Sequence, residues 1–386
     1  MYKINARITP LFLSLSLILF GCSSEKPAHE MSPLPVVQNQ FQIKNNWNNN
    51  IGDGFGKYYS QQSPVEQNGI IYVADRNGTV EAIDANSGKE IWEQELNSDS
   101  DAKLSGGISL GQNDLYIGSE SAKLYSLNLK SGKVKWVIDT NSSVISKPVV
   151  YQDYVLVNTD GGNLQAFDKN NGKEIWNIKT FEPPFSLRSA SSITIHDNKV
   201  FWGMSNGMVG VAELKTGNLL KQIPVGTPIN QTQVGQLMDV DATPKVVGNN
   251  LYILGYNGDL NSINLSTYKF NWKIKTSSAK DFVIKGSKII FVTSSDEVRC
   301  VDLTSGKDVW KNSQLEYRFL TSPSIFKDTL MVGDMEGYLH WININTGLIV
   351  AQKDYDSKFL VPPLDTKQGI IAFTSNGDLI NEQIIN

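Results

Sequence analysis

The sequence has only two cysteines and three histidines among 386 residues. The histidines, His29, His196 and His340, are widely separated and no nucleophile motif accompanies them, so the sequence offers neither a metal site nor a catalytic triad. The Gly-rich residues 52–57 lack Walker spacing, since no Ser or Thr follows Lys57. Carboxylates are plentiful, but no two can be placed in one cleft. We therefore expect no catalytic residues, no metal ligands and no cofactor.

Long apolar runs are also scarce, and the longest one, residues 11–20, is too short to span a bilayer. Lys3 and Arg7 precede it, which is typical of a signal peptide. The run ends in Leu-Phe-Gly-Cys at residues 19–22, which resembles the lipobox of bacterial lipoproteins. That resemblance predicts a signal peptide over residues 1–21 and lipidation of Cys22.

The residues after Cys22 indicate a tether. Ser23 and Ser24 follow the cysteine, and in lipoproteins this pair implies transport to the outer membrane. Residues 22–35 are polar and carry three prolines, so we expect a flexible tether. Removal of residues 1–21 takes two basic residues and no acidic one, so the formal net charge changes from −4 to −6. An acidic chain without a basic run argues against nucleic acid as a partner.

One eleven-residue pattern recurs along the chain. Each copy has a small residue, a Gly six positions later and a Trp four positions beyond the Gly; the copies are residues 82–92, 126–136, 166–176 and 300–310. Degenerate copies occupy residues 211–221, 262–272 and 341–351. The first three intervals between successive glycines are 44, 40 and 45 residues. This period is typical of β-propellers.

The first copy shows why each unit should be a blade. Residues 70–73 are apolar and β-branched, and Asn77-Gly78 is typical of a tight hairpin turn. Residues 79–83 alternate between apolar and polar side chains, as a half-buried strand does. A second turn leads into a strand that carries the Trp. With an edge strand upstream, the unit becomes a four-stranded antiparallel blade.

Eight such units fit the chain, with starts near residues 63, 107, 147, 191, 243, 281, 322 and 361. The eighth lacks its final turn and Trp strand, and residues 37–47 have the alternation and the Trp to supply them. We expect an all-β, eight-bladed β-propeller over residues 36–386, closed by pairing of the N- and C-terminal strands. A free N-terminal arm is the alternative.

Tryptophan is predicted to wedge between blades, with its N–H bonded to a carbonyl. The repeat tryptophans are Trp47, Trp92, Trp136, Trp176, Trp272 and Trp310. Cys300 takes the small-residue position of its copy, so we expect a buried small side chain there. Since Cys22 is reserved for lipid, no disulfide can form within the mature chain.

The repeat resembles that of pyrroloquinoline-quinone (PQQ) dehydrogenases. Many of those enzymes have a vicinal Cys pair and acidic calcium ligands, which this chain lacks. Signal peptide, lipobox, tether and eight blades together resemble the BamB family of the β-barrel assembly machinery (BAM). The resemblance covers nearly the whole chain and is closest at residues 320–323, 332–341 and 351–352. It implies a non-enzymatic scaffold lipoprotein of the outer membrane that faces the periplasm and assists the assembly and insertion of β-barrel proteins.

The resemblance also implies a binding surface for BamA. In the family, loops of neighbouring blades bind the POTRA domains of BamA. One loop carries an apolar-x-Leu-Arg motif, matched by Phe-Ser-Leu-Arg at residues 185–188 with Phe in place of Leu; the other carries Asp-Val-Asp before a Pro, matched at residues 239–244. The implied contact residues are Phe185, Leu187, Arg188, Asp239 and Asp241.

We expect both loops to be exposed neighbours, because equivalent loops of adjacent blades emerge on one side of a ring. For the two aspartates the alternative is turn chemistry. Two functional classes remain open: a scaffold that binds BamA and passes on unfolded barrel precursors by edge-strand pairing, or a quinoprotein-type enzyme or small-ligand binder that uses the central channel.

Overall fold

The fold is taken from a computed structural model that describes residues 29–58, 60–96, 102–160, 163–180, 186–187, 190–226 and 237–385. Every regular element in these ranges is a β-strand. None of the described residues belongs to a helix with the length and apolarity that crossing a membrane requires. The all-β prediction is therefore confirmed.

The strands are grouped into eight blades, numbered from the first complete unit. Blade 1 holds β2 (Val65–Gln67), β3 (Ile70–Ala74), β4 (Thr79–Asp84) and β5 (Glu90–Glu95). Blade 2 holds β6 (Leu104–Leu110), β7 (Asp114–Ser119), β8 (Lys123–Asn128) and β9 (Val134–Asp139). Blade 3 holds β10 (Val149–Tyr151), β11 (Tyr154–Asn158), β12 (Asn163–Asp168) and β13 (Glu174–Lys179). Blade 4 holds β14 (Ile193–His196), β15 (Lys199–Gly203), β16 (Met208–Glu213) and β17 (Leu219–Pro224).

The second half of the chain follows the same plan. Blade 5 holds β18 (Lys245–Val247), β19 (Asn250–Leu254), β20 (Leu260–Asn264) and β21 (Phe270–Ile274). Blade 6 holds β22 (Val283–Lys285), β23 (Lys288–Val292), β24 (Val298–Asp302) and β25 (Asp308–Asn312). Blade 7 holds β26 (Ser324–Phe326), β27 (Thr329–Gly333), β28 (Tyr338–Asn343) and β29 (Ile349–Asp354). Blade 8 holds β30 (Leu364–Thr366), β31 (Gly369–Phe373), β32 (Asp378–Ile385) and β1 (Gln42–Asn50).

The blades form a closed ring. Within each blade the strands pair antiparallel in chain order, except that β1 pairs with β32 and so completes blade 8. The short first strands of neighbouring blades contact one another, which places them nearest the ring axis. The predicted closure is thus confirmed, although the closing strand begins at Gln42 and continues to Asn50 instead of spanning residues 37–47.

Two faces of the ring differ in the segments that they carry. Each connector from the outermost strand of one blade to the innermost strand of the next lies on one face, which we call the connector face. The turns between second and third strands lie there too, since each antiparallel strand reverses direction. The turns between third and fourth strands, such as the one around Gly347, lie on the opposite face, which we call the turn face.

The repeat tryptophans of six of the eight blades pack against the next blade; blades 4 and 7 have Lys221 and Ala351 at that position. The indole N–H of Trp92 in blade 1 donates to the carbonyl of Leu129 in blade 2 at 3.1 Å. Its ring lies against Gly132, where a Cβ would be 2.5 Å from the ring. Equivalent bonds join Trp47 to Ala85, Trp136 to Lys169, Trp176 to Leu214 and Trp310 to Ile344. Trp272 packs on Gly306, but its N–H has no partner among the described residues.

The interface between blades 4 and 5 departs from this pattern on both sides. Lys221 takes the Trp position of blade 4, and Tyr268 takes the Gly position of blade 5. The ammonium of Lys221 lies 4.7 Å from the centre of the Tyr268 ring, a cation–π contact. The cross-strand partner of Lys221 is Val211, whereas the partner of the repeat Trp is Ala, Ser or Cys in blades 1, 2, 3, 5 and 6 and Asn381 in blade 8. At this interface Lys221, Tyr268 and Val211 thus replace the Trp, the Gly and the small residue of the repeat.

The segment before β1 is bound to blade 7. The N–H of Ser32 donates to the carbonyl of Glu316 at 3.0 Å, and the side-chain amide of Gln352 donates to the carbonyl of Pro35 at 3.0 Å. Asn39 both donates to and accepts from the backbone of Gln352. We call residues 31–41 the strap. Ser32 and Pro35 were expected in a flexible tether; the structure binds them to the propeller instead.

Candidate functional site

The two segments expected to bind a partner meet on the connector face. Leu187 lies in the connector between β13 and β14, and Asp239 lies in the connector between β17 and β18. The backbone N–H of Leu187 donates a hydrogen bond to Oδ2 of Asp239. The expectation that these segments are neighbours is therefore confirmed for Leu187 and Asp239. Phe185, Arg188 and the predicted lipidation site Cys22 lie outside the described residues.

Asp239 is fixed in its connector by its backbone as well as by its side chain. Its carbonyl accepts a hydrogen bond of 2.7 Å from the N–H of Tyr256, in the turn after β19 of blade 5. The next residue, Val240, is buried, and its N–H donates to the carbonyl of Met204 at 3.2 Å. Gly203 permits this close approach, because a Cβ there would be 1.9 Å from the carbonyl of Val240. Asp239 and Val240 are therefore held against blades 4 and 5.

The burial of the two aspartates differs from the expectation of exposed loops. Asp239 is 1% exposed and Asp241 is 6% exposed. Burial raises the pKa of Asp239 to about 6, although the hydrogen bond from Leu187 acts in the opposite direction. Its other oxygen, Oδ1, is buried without a hydrogen-bond partner among the described residues. A buried carboxylate positions the Leu187 connector and presents little surface of its own.

Leu187 itself remains available for contact. Its side chain is partly exposed, whereas the hydrogen bond to Asp239 holds its backbone. A partly exposed Leu on a fixed backbone suits an interface anchor, because little conformational entropy is lost on binding. The buried aspartate was missed from sequence because burial of a connector depends on how two neighbouring blades enclose it.

A buried ionic cluster that the sequence did not predict lies near the start of the strap. Nε of Arg318 donates to Oδ2 of Asp334 at 2.7 Å, and Nε2 of His340 lies 3.1 Å from the same oxygen. Nη1 of Arg318 donates to the carbonyl of Ser32 at 3.1 Å. Burial acts to raise the pKa of Asp334, but hydrogen bonds from His340, the Tyr338 backbone and Arg318 hold it below its usual value. The cluster therefore couples the strap to the core of blade 7.

The remaining cysteine and the channel bear on the alternative of a ligand site. Cys300 is buried in β24, so the expectation of a buried small side chain is confirmed, and burial raises the pKa of its thiol to about 11. Innermost strands of blades 4 to 8 line a cavity of about 690 Å³ with mainly aliphatic side chains, such as Val246, Ile284 and Leu364. The part of the chain that the structure describes has no cluster of three metal-ligating side chains.

Comparisons with known proteins point to one family. A family model described as "Outer membrane protein assembly factor BamB" matches residues 44–102 and 76–312. The curated protein of that name from Aliivibrio fischeri is 42% identical over 363 residues, which cover 94% of this chain and 94% of the relative. Identity at this level over nearly the full length of both chains extends beyond the repeat.

Solved structures show the same fold at lower identity. BamB from Moraxella catarrhalis superposes with a TM-score of 0.80 at 22% identity, covering 89% of this chain and 100% of that one. Quinohemoprotein alcohol dehydrogenase from Comamonas testosteroni superposes with a TM-score of 0.70 at 13% identity, covering 88% of this chain and 76% of the enzyme. At these identities both structures support the propeller fold alone.

Proposed function

This chain belongs to the BamB family of outer membrane protein assembly factors, and we propose that it acts there by binding the POTRA domains of BamA through its connector face. As a member of that family it is a component of the BAM complex, which contains BamA, and it is associated with the outer membrane. The observation that carries the proposal is the hydrogen bond between Leu187 and Asp239. It holds Leu187 of one connector against Asp239 of the next.

In the proposed contact, some residues touch BamA and others hold those residues in place. Phe185, Leu187 and Arg188 contact BamA, because apolar and Arg side chains are typical interface anchors. Asp239 holds the Leu187 connector in place, and the buried Asp241 belongs to the same supporting connector. Because the backbone at Leu187 is already held, less conformational entropy is lost there on binding.

The test is capture of purified BamA POTRA domains by variants of the chain. Leu187→Ala and Arg188→Glu should each weaken binding by about 2 kcal/mol, which is roughly 30-fold in Kd. Leu348→Ala is the matched control, because Leu348 is 62% exposed and lies on the turn face. It should bind like the unmodified chain. Full capture by a folded Arg188→Glu variant would place the interface elsewhere.

We also propose that Cys22 carries the lipid anchor and that the propeller faces the periplasm. Residues 1–21 are the signal peptide in this proposal. The support is the apolar run with a basic start that ends in Leu-Phe-Gly-Cys. Cys22→Ala should release the chain from the outer-membrane fraction. A variant still held there in cells lacking BamA would contradict the proposal.

The curated relatives are named as assembly factors, and we propose that this chain likewise has no catalytic activity. The absence of vicinal cysteines from the sequence supports this. The purified chain with added PQQ and calcium should not reduce a dye acceptor.

Unfolded barrel precursors are a further proposed ligand of the scaffold, at the outer edges of its blades.

A further inference from the structure

The strap fixes the point at which the chain enters the propeller. Ser32 is held on two sides: its N–H donates to the carbonyl of Glu316, and its carbonyl accepts from Arg318. Both partners lie in the connector between β25 of blade 6 and β26 of blade 7. Arg318 is itself immobilised by Asp334, and both side chains are at most 1% exposed. The entry point is therefore anchored in the core.

That entry point lies on the same face as the proposed BamA surface. Leu187 and Asp239 also lie in connectors from an outermost strand to the next innermost strand. All such connectors emerge on the connector face of the ring. From Ser32 the strap runs past Gln352 and Val350 toward the turn face, and the chain then reverses into β1.

We propose that the connector face is the side of the propeller that faces the membrane, so that BamA is bound between the propeller and the bilayer. The inference rests on the proposed lipidation of Cys22. Cys22 lies ten residues before Ser32 in the sequence. A chain of that length spans at most ~36 Å when fully extended. Ser32 is therefore held within that distance of the bilayer surface.

If the turn face were toward the bilayer, the tether would need a much larger part of its ~36 Å length. The turns on the two faces of blade 7 are joined by β28, a strand of six residues. At ~3.4 Å per residue the two faces are about 20 Å apart. If the turn face were next to the bilayer, the tether would first have to pass the thickness of a blade. Little slack would then remain for rotation of the propeller.

The experiment measures which face is closer to a bilayer when the chain is tethered at residue 22. The chain from Cys22 onward is coupled through its thiol to maleimide-headgroup lipids in phosphatidylcholine vesicles. Cys300 is 0% exposed, so coupling is directed to Cys22. A fluorescent amino acid is placed at Met335 or at Leu348, and energy transfer to acceptor dyes on lipid headgroups is measured. Both positions are exposed and both belong to blade 7, on the connector face and the turn face respectively.

Transfer from position 335 should exceed transfer from position 348 by about twofold, because the two positions are ~20 Å apart across the blade. Equal transfer, or more from position 348, would overturn the inference. A second chain with a flexible insertion of about 20 residues between Pro27 and Ala28 should lose most of the difference, since its reach grows to over 100 Å. If the difference persisted, the length of the tether would not be what orients the propeller, and the inference would be wrong.

Energy transfer on vesicles and capture of POTRA domains test the orientation and the proposed function separately. Chemical coupling replaces biological lipidation, so the result does not depend on whether cells modify Cys22. Capture of POTRA domains by the soluble chain is measured independently of any vesicle. A chain that captures BamA yet shows equal transfer from both faces would overturn the orientation alone.

Discussion

The backbone N–H of Leu187 donates a hydrogen bond to the carboxylate of Asp239, which lies 52 positions later in the chain and in the next inter-blade connector. The bond gives the Leu187 N–H a buried acceptor, and it holds Leu187 against the neighbouring connector. Since Asp239 is 1% exposed, its charge is carried in a poorly solvated place. The burial of this carboxylate therefore makes the stability of the fold depend on pH.

Asp239→Asn should stabilise the chain at high pH and change little at low pH. The pKa of Asp239 is about 6 in the folded chain against an ordinary value of 3.8, so the folded state binds more protons between those values. The free energy of unfolding then falls as pH rises from about 4 to 6, and the loss is complete above that. Asn removes the charge and keeps a carbonyl acceptor for Leu187. We expect a gain of roughly 1–3 kcal/mol at pH 8.

Thermal melts at pH 4.5 and pH 8 check this prediction. Asp239→Ala is the comparison variant, because it removes both charge and acceptor. It leaves the Leu187 N–H without its partner, at a cost of about 1–3 kcal/mol if no water replaces it. Equal stability of Asp239→Asn and the unmodified chain at pH 8 would show that the buried charge costs nothing.

Gly88→Ala should destabilise the ring far more than Gly286→Ala. Both glycines have positive φ, +70° and +58°, so both variants incur a similar backbone strain. At Gly88 a Cβ would be 2.7 Å from the ring of Trp47, whereas at Gly286 no atom lies within 4 Å. The difference between the two losses therefore measures the Trp47 contact, and we expect about 1–3 kcal/mol. Urea unfolding of both variants gives it, and equal losses would contradict the closing role of Trp47.

Replacing Lys221, Tyr268 and Val211 together by the repeat residues should preserve stability that the single replacements lose. Lys221→Trp alone places an indole against Tyr268, and Tyr268→Gly alone removes a ring from beneath Lys221. Each should lower stability by about 1–3 kcal/mol. The triple variant Lys221→Trp, Tyr268→Gly, Val211→Ala restores the repeat pattern and should recover most of the loss. Additive losses in urea unfolding would show that the three positions do not interact.

Arg318→Ala should be among the most destabilising single changes. It leaves the buried carboxylate of Asp334 without its guanidinium, which typically costs 3–5 kcal/mol when a buried pair is broken. Glu336→Ala is the control, because Glu336 also pairs with Arg318 but is 48% exposed. We expect less than about 1 kcal/mol for Glu336→Ala. Similar melting temperatures for both variants would mean that burial of the pair does not matter.

The sequence by itself determined the blades. The strand at Ile70–Ala74 and the tight turn around Gly78 follow from β-branched runs and turn residues, and these signals are local. The position of Trp47 also determined the closure of blade 8, since only one terminal segment carries the missing Trp strand. The recurring Trp also predicted contacts between blades, but that its ring packs on the turn Gly of the next blade is known only from the structure.

Tertiary structure alone decided how the connectors and the strap are used. The motif at residues 239–241 reads as an exposed turn, yet the approach of Val240 to Gly203 buries it between blades. The prolines of the strap read as a tether, yet Glu316, Arg318 and Gln352 hold it on blade 7. In both cases the partners lie dozens to hundreds of positions away. Burial and hydrogen bonding of irregular backbone depend on such distant neighbours, which no local pattern specifies.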